Sequence, residues 1–364
     1  MRIVVFGLTI SSSWGNGHAT LWRGLIRALG RLGHHVVFFE RDQPFYAAAR
    51  DLFDIPGGTL VLYDSWAEIR ARAADAVAES DVAMVTSYCP DGLAATDLVL
   101  DARRAARVFY DLDTPVTLSR LGRGEATGYI GPRGLSEFDL VLSYTGGSAL
   151  AELCGRLGAR RVSALYGHVD PDVHRPVAPT GRFAADLSYL GTYAADRQAA
   201  LQSLFISPAA RRPGRRFLIG GAQYPAEFPW TPNIFFVRHL PPADHPAFFC
   251  SGRLTLNVTR EAMAAMGWCP SGRLFEAAAC GVPILSDTWE GLDGFFEPGT
   301  EILTARSTAD ALAALELTDA ELRRIARAAR DRVLAEHTSE RRARELESLL
   351  HAARQPALRA LVEA

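Results

Sequence analysis

The chain has no lysine. All 39 of its permanently cationic side chains are arginines, set against 41 acidic residues, which leaves a net charge of −2. Any anion it neutralises must therefore be met by a guanidinium, an imidazole or a backbone N–H. The near-zero balance also lacks the basic excess that counterion release on a nucleic acid requires, so no nucleic-acid partner is expected. Cysteine is scarce. Cys89, Cys154, Cys250, Cys269 and Cys280 are odd in number and form no C-x-x-C pair, which argues against a disulfide framework or a structural zinc site. No apolar run reaches the length of a membrane span, and residues 1–6 lack the layout of a signal peptide, which points to a cytoplasmic location.

What remains is the composition of a globular enzyme: 364 residues, 48% hydrophobic and 22% charged. That length exceeds what one core usually organises, so two domains of roughly 170 residues each are expected. The pattern alternates strand and helix, which argues for parallel sheets with crossover helices. Residues 2–6 read as a buried strand, 7–18 as a Gly/Ser-rich loop, 19–32 as an amphipathic helix and 36–40 as the next strand. Further strands are expected at 59–62, 82–86, 107–110, 140–143 and 161–165. Ligands in such sheets gather beyond the carboxyl ends of the strands, which selects the loops at 8–18, 87–91, 111–117 and 144–147.

The most informative stretch is residues 271–287, SGRLFEAAACGVPILSD. It reads as a tight turn, a short helix and a buried strand. Ser271 and Gly272 can cap the helix, Arg273 adds a cation, Leu274 is counted with them among the nucleotide-sugar-binding residues, and the helix N-terminus favours a phosphate. Glu276, about one turn in, offers two acceptor oxygens suited to the vicinal hydroxyls of a ribose. An ordinary α/β connection with a capped helix is the competing reading.

Beyond that stretch, Gly281-Val282-Pro283, Trp289-Glu290-Gly291-Leu292, Glu297-Pro298-Gly299 and Glu301-Ile302 resemble the C-terminal signature of GT-B glycosyltransferases of the family 4 type. The run LNVTREAMAAMGWCPSGRLFEAAACG is similar to the CgeB-like spore-maturation group of that superfamily. The resemblance implies an α/β GT-B fold of two Rossmann-like domains, with parallel sheets facing a central cleft. It implies Glu276 as the ribose carboxylate. One departure is Trp268, which stands where family 4 usually carries a second glutamate for the donor sugar. YGHVDPDVHRP at 166–176 resembles the element ending the first domain in those enzymes, with His168 inserted and His174 at the aromatic position. The proline-rich stretch after it agrees with a boundary. The expected organisation is an acceptor-binding domain at 1–172, a nucleotide-sugar-binding domain at 173–335, and a C-terminal helix at 336–364 that crosses back to the first domain.

The remaining candidates follow from position. Gly15 and Gly17 permit close backbone approach in the first loop. His18 follows them as the general base does in some inverting GT-B enzymes, and it equally reads as a residue capping the first helix. Asp111 and Asp113 lie just past an apolar strand, where alternation would send both carboxylates one way; turn formation before Thr114-Pro115 is the alternative. Gly191 and Thr192 mark the turn that resembles the diphosphate loop. Arg197 follows and reads either as the charge stabilising the departing diphosphate or as a surface arginine, with Arg260 as the runner-up phosphate ligand. His239 lies where such enzymes hold the base. No metal is expected, because the D-x-D at 111–113 falls in the acceptor domain.

The stretch 318–350 reads as one long helix. Arg323, Arg324, Arg327 and Arg330 leave open a weak peripheral contact with anionic lipid, although interspersed acids favour an ion-paired, solvated helix. The expected activity is metal-independent, retaining transfer of a sugar from a nucleotide diphosphate-sugar, as co-substrate with no cofactor, to an unidentified glycan, protein or small-molecule acceptor. A GT-B nucleotide-sugar epimerase and a non-catalytic spore or envelope assembly protein remain the alternatives.

Overall fold

The computed structural model describes residues 1–355, so the last nine residues of the expected C-terminal helix lie outside the described residues. The described chain builds two parallel sheets. The first contains β1 (Arg2–Gly7), β2 (His35–Arg41), β3 (Gly58–Tyr63), β4 (Val82–Thr86), β5 (Ala106–Asp111), β6 (Leu140–Ser143) and β7 (Val162–Ala164), in the order β3-β2-β1-β4-β5-β6-β7. The second contains β8 (Leu187–Leu190), β9 (Phe217–Gly221), β10 (Ile234–Arg238), β11 (Thr255–Asn257), β12 (Ile284–Ser286) and β13 (Leu303–Thr304), in the order β10-β9-β8-β11-β12-β13. Each sheet therefore starts in its middle, runs to one edge and reverses. The reversal falls between β1 and β4 in the first sheet and between β8 and β11 in the second, and such a switch point is where a ligand crevice forms.

The strands are apolar because helices cover both faces of a parallel sheet. Every residue of β4, β6, β8, β9, β11 and β12 is buried. Alternation distributes them: Tyr189 joins the cluster containing Phe205 and Phe217, while its neighbour Leu190 joins Phe248 and Phe275 on the other face. Full burial of such a side chain contributes about 1.5–3 kcal/mol, so these two layers dominate the second sheet's stability.

The chain forms two compact units. Met1–Ser12, Leu25–Leu165 and the described residues 340–355 make the first; Ser13–Gly24 and Tyr166–Ser339 make the second. Within the first unit the C-terminal helix Ser339–Arg354 is tied down by His34 Nε2 to Glu347 Oε1 at 2.8 Å and by Arg161 Nη1 donating to the Ala352 carbonyl at 2.8 Å.

The single long helix expected over 318–350 is two helices, Asp319–Glu336 and Ser339–Arg354. Its start matches its sequence: Thr318 and Glu321 close a reciprocal capping box. Its break has a tertiary cause. Thr338 pairs with Val169 as an isolated parallel bridge, Val169 N donates to His337 O at 3.0 Å, and Ser339 N donates to Val169 O. Two backbone groups that a continuous helix would use internally, the His337 carbonyl and the Ser339 N–H, are bonded to another segment. The arginine cluster on the first of these helices is also not uniform. Arg323, Arg324 and Arg327 are exposed, but Arg330 turns inward and its Nε donates to the Ala279 carbonyl at 3.1 Å.

Candidate functional site

The carboxyl edge of the second sheet gathers three guanidiniums at its switch point. β8 ends at Leu190 and the chain turns at Gly191-Thr192, then enters a short 3-10 turn, Ala195–Arg197. The turn is tightly packed. Gly191 N donates to Gly220 O at 2.8 Å, and a Cβ at Gly221, where φ is +156°, would stand 2.0 Å from the Gly191 carbonyl oxygen. Only glycine fits there. Arg197 folds back on the turn, its Nη1 donating to Thr192 O at 3.1 Å. Its Nε is buried and has no partner among the described residues. Burial chiefly, with the like charges of Arg273 and Arg260 adding to it, lowers the Arg197 pKa from its ordinary value.

Arg260 precedes the short helix Glu261–Met266, and its Nε bonds Asp196 Oδ2 at 3.1 Å. Arg273 does not project from the helix N-terminus as expected. Its Nη1 bonds the Leu190 carbonyl, its Nη2 the Val258 carbonyl at 3.3 Å and its Nε the Ser271 hydroxyl at 3.1 Å. It brackets the ends of β8 and β11, and its bonds go to uncharged groups, so its charge is not cancelled by them. Ser271 occupies the N-cap position of the helix Gly272–Ala279 but makes no side-chain cap, because Arg273 has taken its hydroxyl. Leu274 is fully buried.

Glu276 lies on the buried side of that helix, 8% exposed. Thr20 Oγ1 approaches its Oε1 at 3.4 Å, His174 Nε2 stands 3.9 Å from Oε1, and His245 Nδ1 stands 3.8 Å from Oε2. The two histidines were not foreseen as partners of Glu276. Distant in sequence, they carry no spacing signal; His245 precedes a proline at the start of its own helix, His245–Ser251. His239 is held at φ +49°, a strained position for a non-glycine residue, with its N–H donating to Gly221 O at 2.7 Å and its ring 6.0 Å from that of Trp14. Gly15 is exposed at φ +62°, and Gly17 is exposed as well. His18 is the first residue of the helix His18–Arg31; the cap is Asn16, whose Oδ1 accepts from His18 N at 3.1 Å.

Trp268 supplies no carboxylate and serves packing. Held at φ +47°, it lies over Gly291 and Gly294: a Cβ at Gly291 would meet the indole at 2.3 Å, and one at Gly294 would meet it at 2.9 Å. Its N–H donates to Glu290 O at 2.6 Å.

The first sheet's carboxyl edge is different in charge. Asp111 and Asp113 differ in burial. Asp111, the last residue of β5, is fully buried, and its Oδ1 accepts from Asp113 N and from Thr117 Oγ1, both at 3.1 Å. Burial pushes its carboxyl up to about 6. Asp113 is half-buried at the N-cap of the helix Thr114–Gly122, hydrogen-bonded to Tyr88. Glu40, which sequence reasoning passed over, anchors the first loop. This fully buried carboxylate accepts from Thr9 Oγ1 at 2.6 Å, Ile10 N at 2.8 Å, Ser11 N at 3.0 Å and the Ser11 hydroxyl. An acid closing an otherwise apolar strand, as Glu40 does in HVVFFER, was the available signal.

Comparison with known proteins agrees with this arrangement. Residues 197–348 match the family described as glycosyl transferase-like. No curated protein matches the sequence significantly. Among solved structures, the chain is similar to sucrose-phosphate synthase from Thermosynechococcus elongatus, with a TM-score of 0.69 at 14% identity over 97% of this chain and 98% of that one. HepE from Anabaena, in complex with UDP and glucose, gives 0.68 at 12% over 97% and 100%. An alpha-glucosyltransferase in complex with UDP-glucose and DNA containing an abasic site gives 0.72 at 12% over 96% and 99%. The chain thus has the two-sheet α/β fold of these structures, the GT-B fold.

Proposed function

We propose that the protein transfers a glycosyl group from a nucleoside diphosphate-sugar bound at the carboxyl edge of the second sheet. The observation that carries this is Arg197: a half-buried side chain whose Nε is buried and unpartnered among the described residues, beside Arg260 and Arg273, at the switch point of the sheet. A desolvated cation in such company is stabilised by an anion of more than one charge, and a diphosphate fits. The N-terminus of the helix Gly272–Ala279 adds backbone donors. The similar HepE and alpha-glucosyltransferase structures hold UDP or UDP-glucose, which supports a uridine donor.

In this reading Glu276 accepts the ribose hydroxyls, His239 and Leu240 border the base, and Gly191-Thr192 lie against the diphosphate. As the glycosidic bond breaks, negative charge grows on the leaving diphosphate. Arg197 and Arg260 are placed to stabilise it, a contribution of the electrostatic kind that dominates many enzymes. The arginines can neutralise the diphosphate without a metal, so we assign a metal-independent reaction; resemblance to family 4 favours retention. Asp113 is assigned to orienting an acceptor hydroxyl or acting as base; Gly15 and Gly17 are assigned to close backbone approach to the donor sugar or acceptor, and His18 is the other candidate base.

A thermal-shift panel of nucleoside diphosphates and nucleotide-sugars tests the reading. Ligand at about 100 times its Kd stabilises the folded state by about 2.7 kcal/mol. UDP should raise the Tm of the wild type, and Glu276→Ala should lose most of that rise. If no nucleotide shifts either protein, the donor site is wrong. Binding without hydrolysis or transfer would favour the assembly-protein reading, to which the absence of a carboxylate at Trp268 lends support; isomerisation of the sugar without acceptor would favour an epimerase.

A further inference from the structure

His174, His245 and Glu276 each present one ligand atom, and the three atoms lie within 4.8 Å of one another. The separations from Glu276 to His174 Nε2 and to His245 Nδ1, 3.9 and 3.8 Å, are too long for hydrogen bonds. Both nitrogens are nevertheless buried without a partner. The tautomer of His245 is set by its other nitrogen. Nε2 faces the Leu240 carbonyl at 3.3 Å, and a carbonyl only accepts, so Nε2 carries the proton. A neutral His245 therefore aims the Nδ1 lone pair at a carboxylate oxygen. Two acceptors facing each other in a buried site repel unless a cation lies between them. A proton shared between the two would draw them to about 2.7–3.2 Å, and they stand 3.8 Å apart.

We infer that His174 Nε2, His245 Nδ1 and one oxygen of Glu276 form a binding site for a single divalent cation of the zinc class, with a fourth position open to solvent or ligand. Two imidazoles and a carboxylate are the donor set such ions prefer. The bond from His245 Nε2–H to a backbone carbonyl is the outer support that metal-bound histidines usually have. Tetrahedral bonds of about 2.0–2.1 Å place ligand atoms about 3.3–3.5 Å apart; the two histidines now approach different oxygens of Glu276 and the three ligand atoms lie within 4.8 Å of one another, so the site must contract by up to about 1.5 Å to hold the ion. The rings bind neutral, so no proton has to leave them.

The site shares Glu276 with the donor's ribose. Occupancy by the ion takes one carboxylate oxygen and should weaken donor binding, a consequence that rests on the ribose reading above, whereas the metal site itself does not.

The test uses chelator-treated full-length protein titrated with zinc chloride by calorimetry, and with cobalt(II) by absorption. A Cys250→Ser, Cys280→Ser background removes a neighbouring pair of hydrogen-bonded thiols that could take zinc themselves. One zinc per chain should bind, with affinity falling at least tenfold in His174→Gln and in His245→Gln. Unchanged melting of these variants in chelator shows that they fold. Absence of stoichiometric zinc, or equal binding by the double histidine variant, overturns the site. Zinc should also weaken UDP binding at least tenfold in the parent background and not in His245→Gln. If zinc binds as expected and UDP affinity does not move, the metal site stands and the ribose role of Glu276 falls.

Discussion

The two sheets share one strand order and differ in what their carboxyl edges carry. At the first, acids predominate and are largely consumed in holding backbone: Glu40 ties down residues 9–11, and Asp111 ties down Asp113 and Thr117. At the second, three arginines gather, and only Arg260 has a carboxylate bonded to it, Asp196, among the contacts described above. Topology alone therefore does not decide which sheet takes the anion. Charge at the switch point does, and in a chain without lysine that charge is read directly from arginine placement.

Removing charge from the second edge should have the largest effect. Arg197→Ala is expected to lower kcat/KM by about 10²–10³-fold, the usual loss on deleting one preorganised donor, while a matched Asp113→Ala leaves UDP affinity unchanged. Arg197→Lys should rescue little, because an ammonium lacks the planar fork. Steady-state kinetics with UDP-glucose and measured UDP affinities check both; an unchanged Arg197→Ala would break the contrast.

The two regions should also respond oppositely to pH. Asp111 in the first unit is raised from 3.8 to about 6, so the folded state keeps a proton that the unfolded chain gives up. Stability from this group is full below pH 3.8 and is lost as pH rises to 6, a change of about 3 kcal/mol. His174 in the second unit is lowered from 6.5 to about 4, so the unfolded chain takes up the proton first. Its contribution is full above pH 6.5 and is lost as pH falls toward 4, again by about 3 kcal/mol. Hydrogen exchange of metal-free protein between pH 4 and 7 should show the opposite slopes. Asp111→Asn should flatten the first and His174→Gln the second. Slopes of one sign in both units would contradict the assignment.

A smaller effect should separate ribose from phosphate recognition. The wild type should prefer UDP over its 2′,3′-dideoxy analogue by about 1–3 kcal/mol, the range for a hydrogen bond to a charged group. Glu276→Gln should narrow that gap and leave the diphosphate contribution intact. Calorimetric titration with both nucleotides measures it.

Much of the fold was legible because buried parallel strands read as short apolar runs. Residues 82–86 and 140–143 are strands over the expected bounds, and most others differ by one or two residues. The helix break at His337-Thr338 was not legible, since nothing in EHTSE forbids a helix and the interruption comes from pairing with Val169. At the candidate site, Arg197 and Arg260 were picked out by position after a strand and Arg273 by its place at a helix N-terminus, but nothing in the sequence showed that Arg273 folds back onto Leu190. Nor could spacing bring His174 and His245 to Glu276, because their approach depends on how segments remote in sequence pack around one helix. Asp111 and Asp113 differ in burial for a related reason: alternation gave a direction to each side chain, but the turn before Thr114 recruited one carboxylate inward.

The most direct test of this account is calorimetric titration of UDP into the wild type, Arg197→Ala and Asp113→Ala at one salt concentration. Loss of at least tenfold in affinity for Arg197→Ala, with Asp113→Ala matching the wild type, is the predicted result. Full affinity in Arg197→Ala, or a loss confined to Asp113→Ala, would place the anion on the other sheet and contradict it.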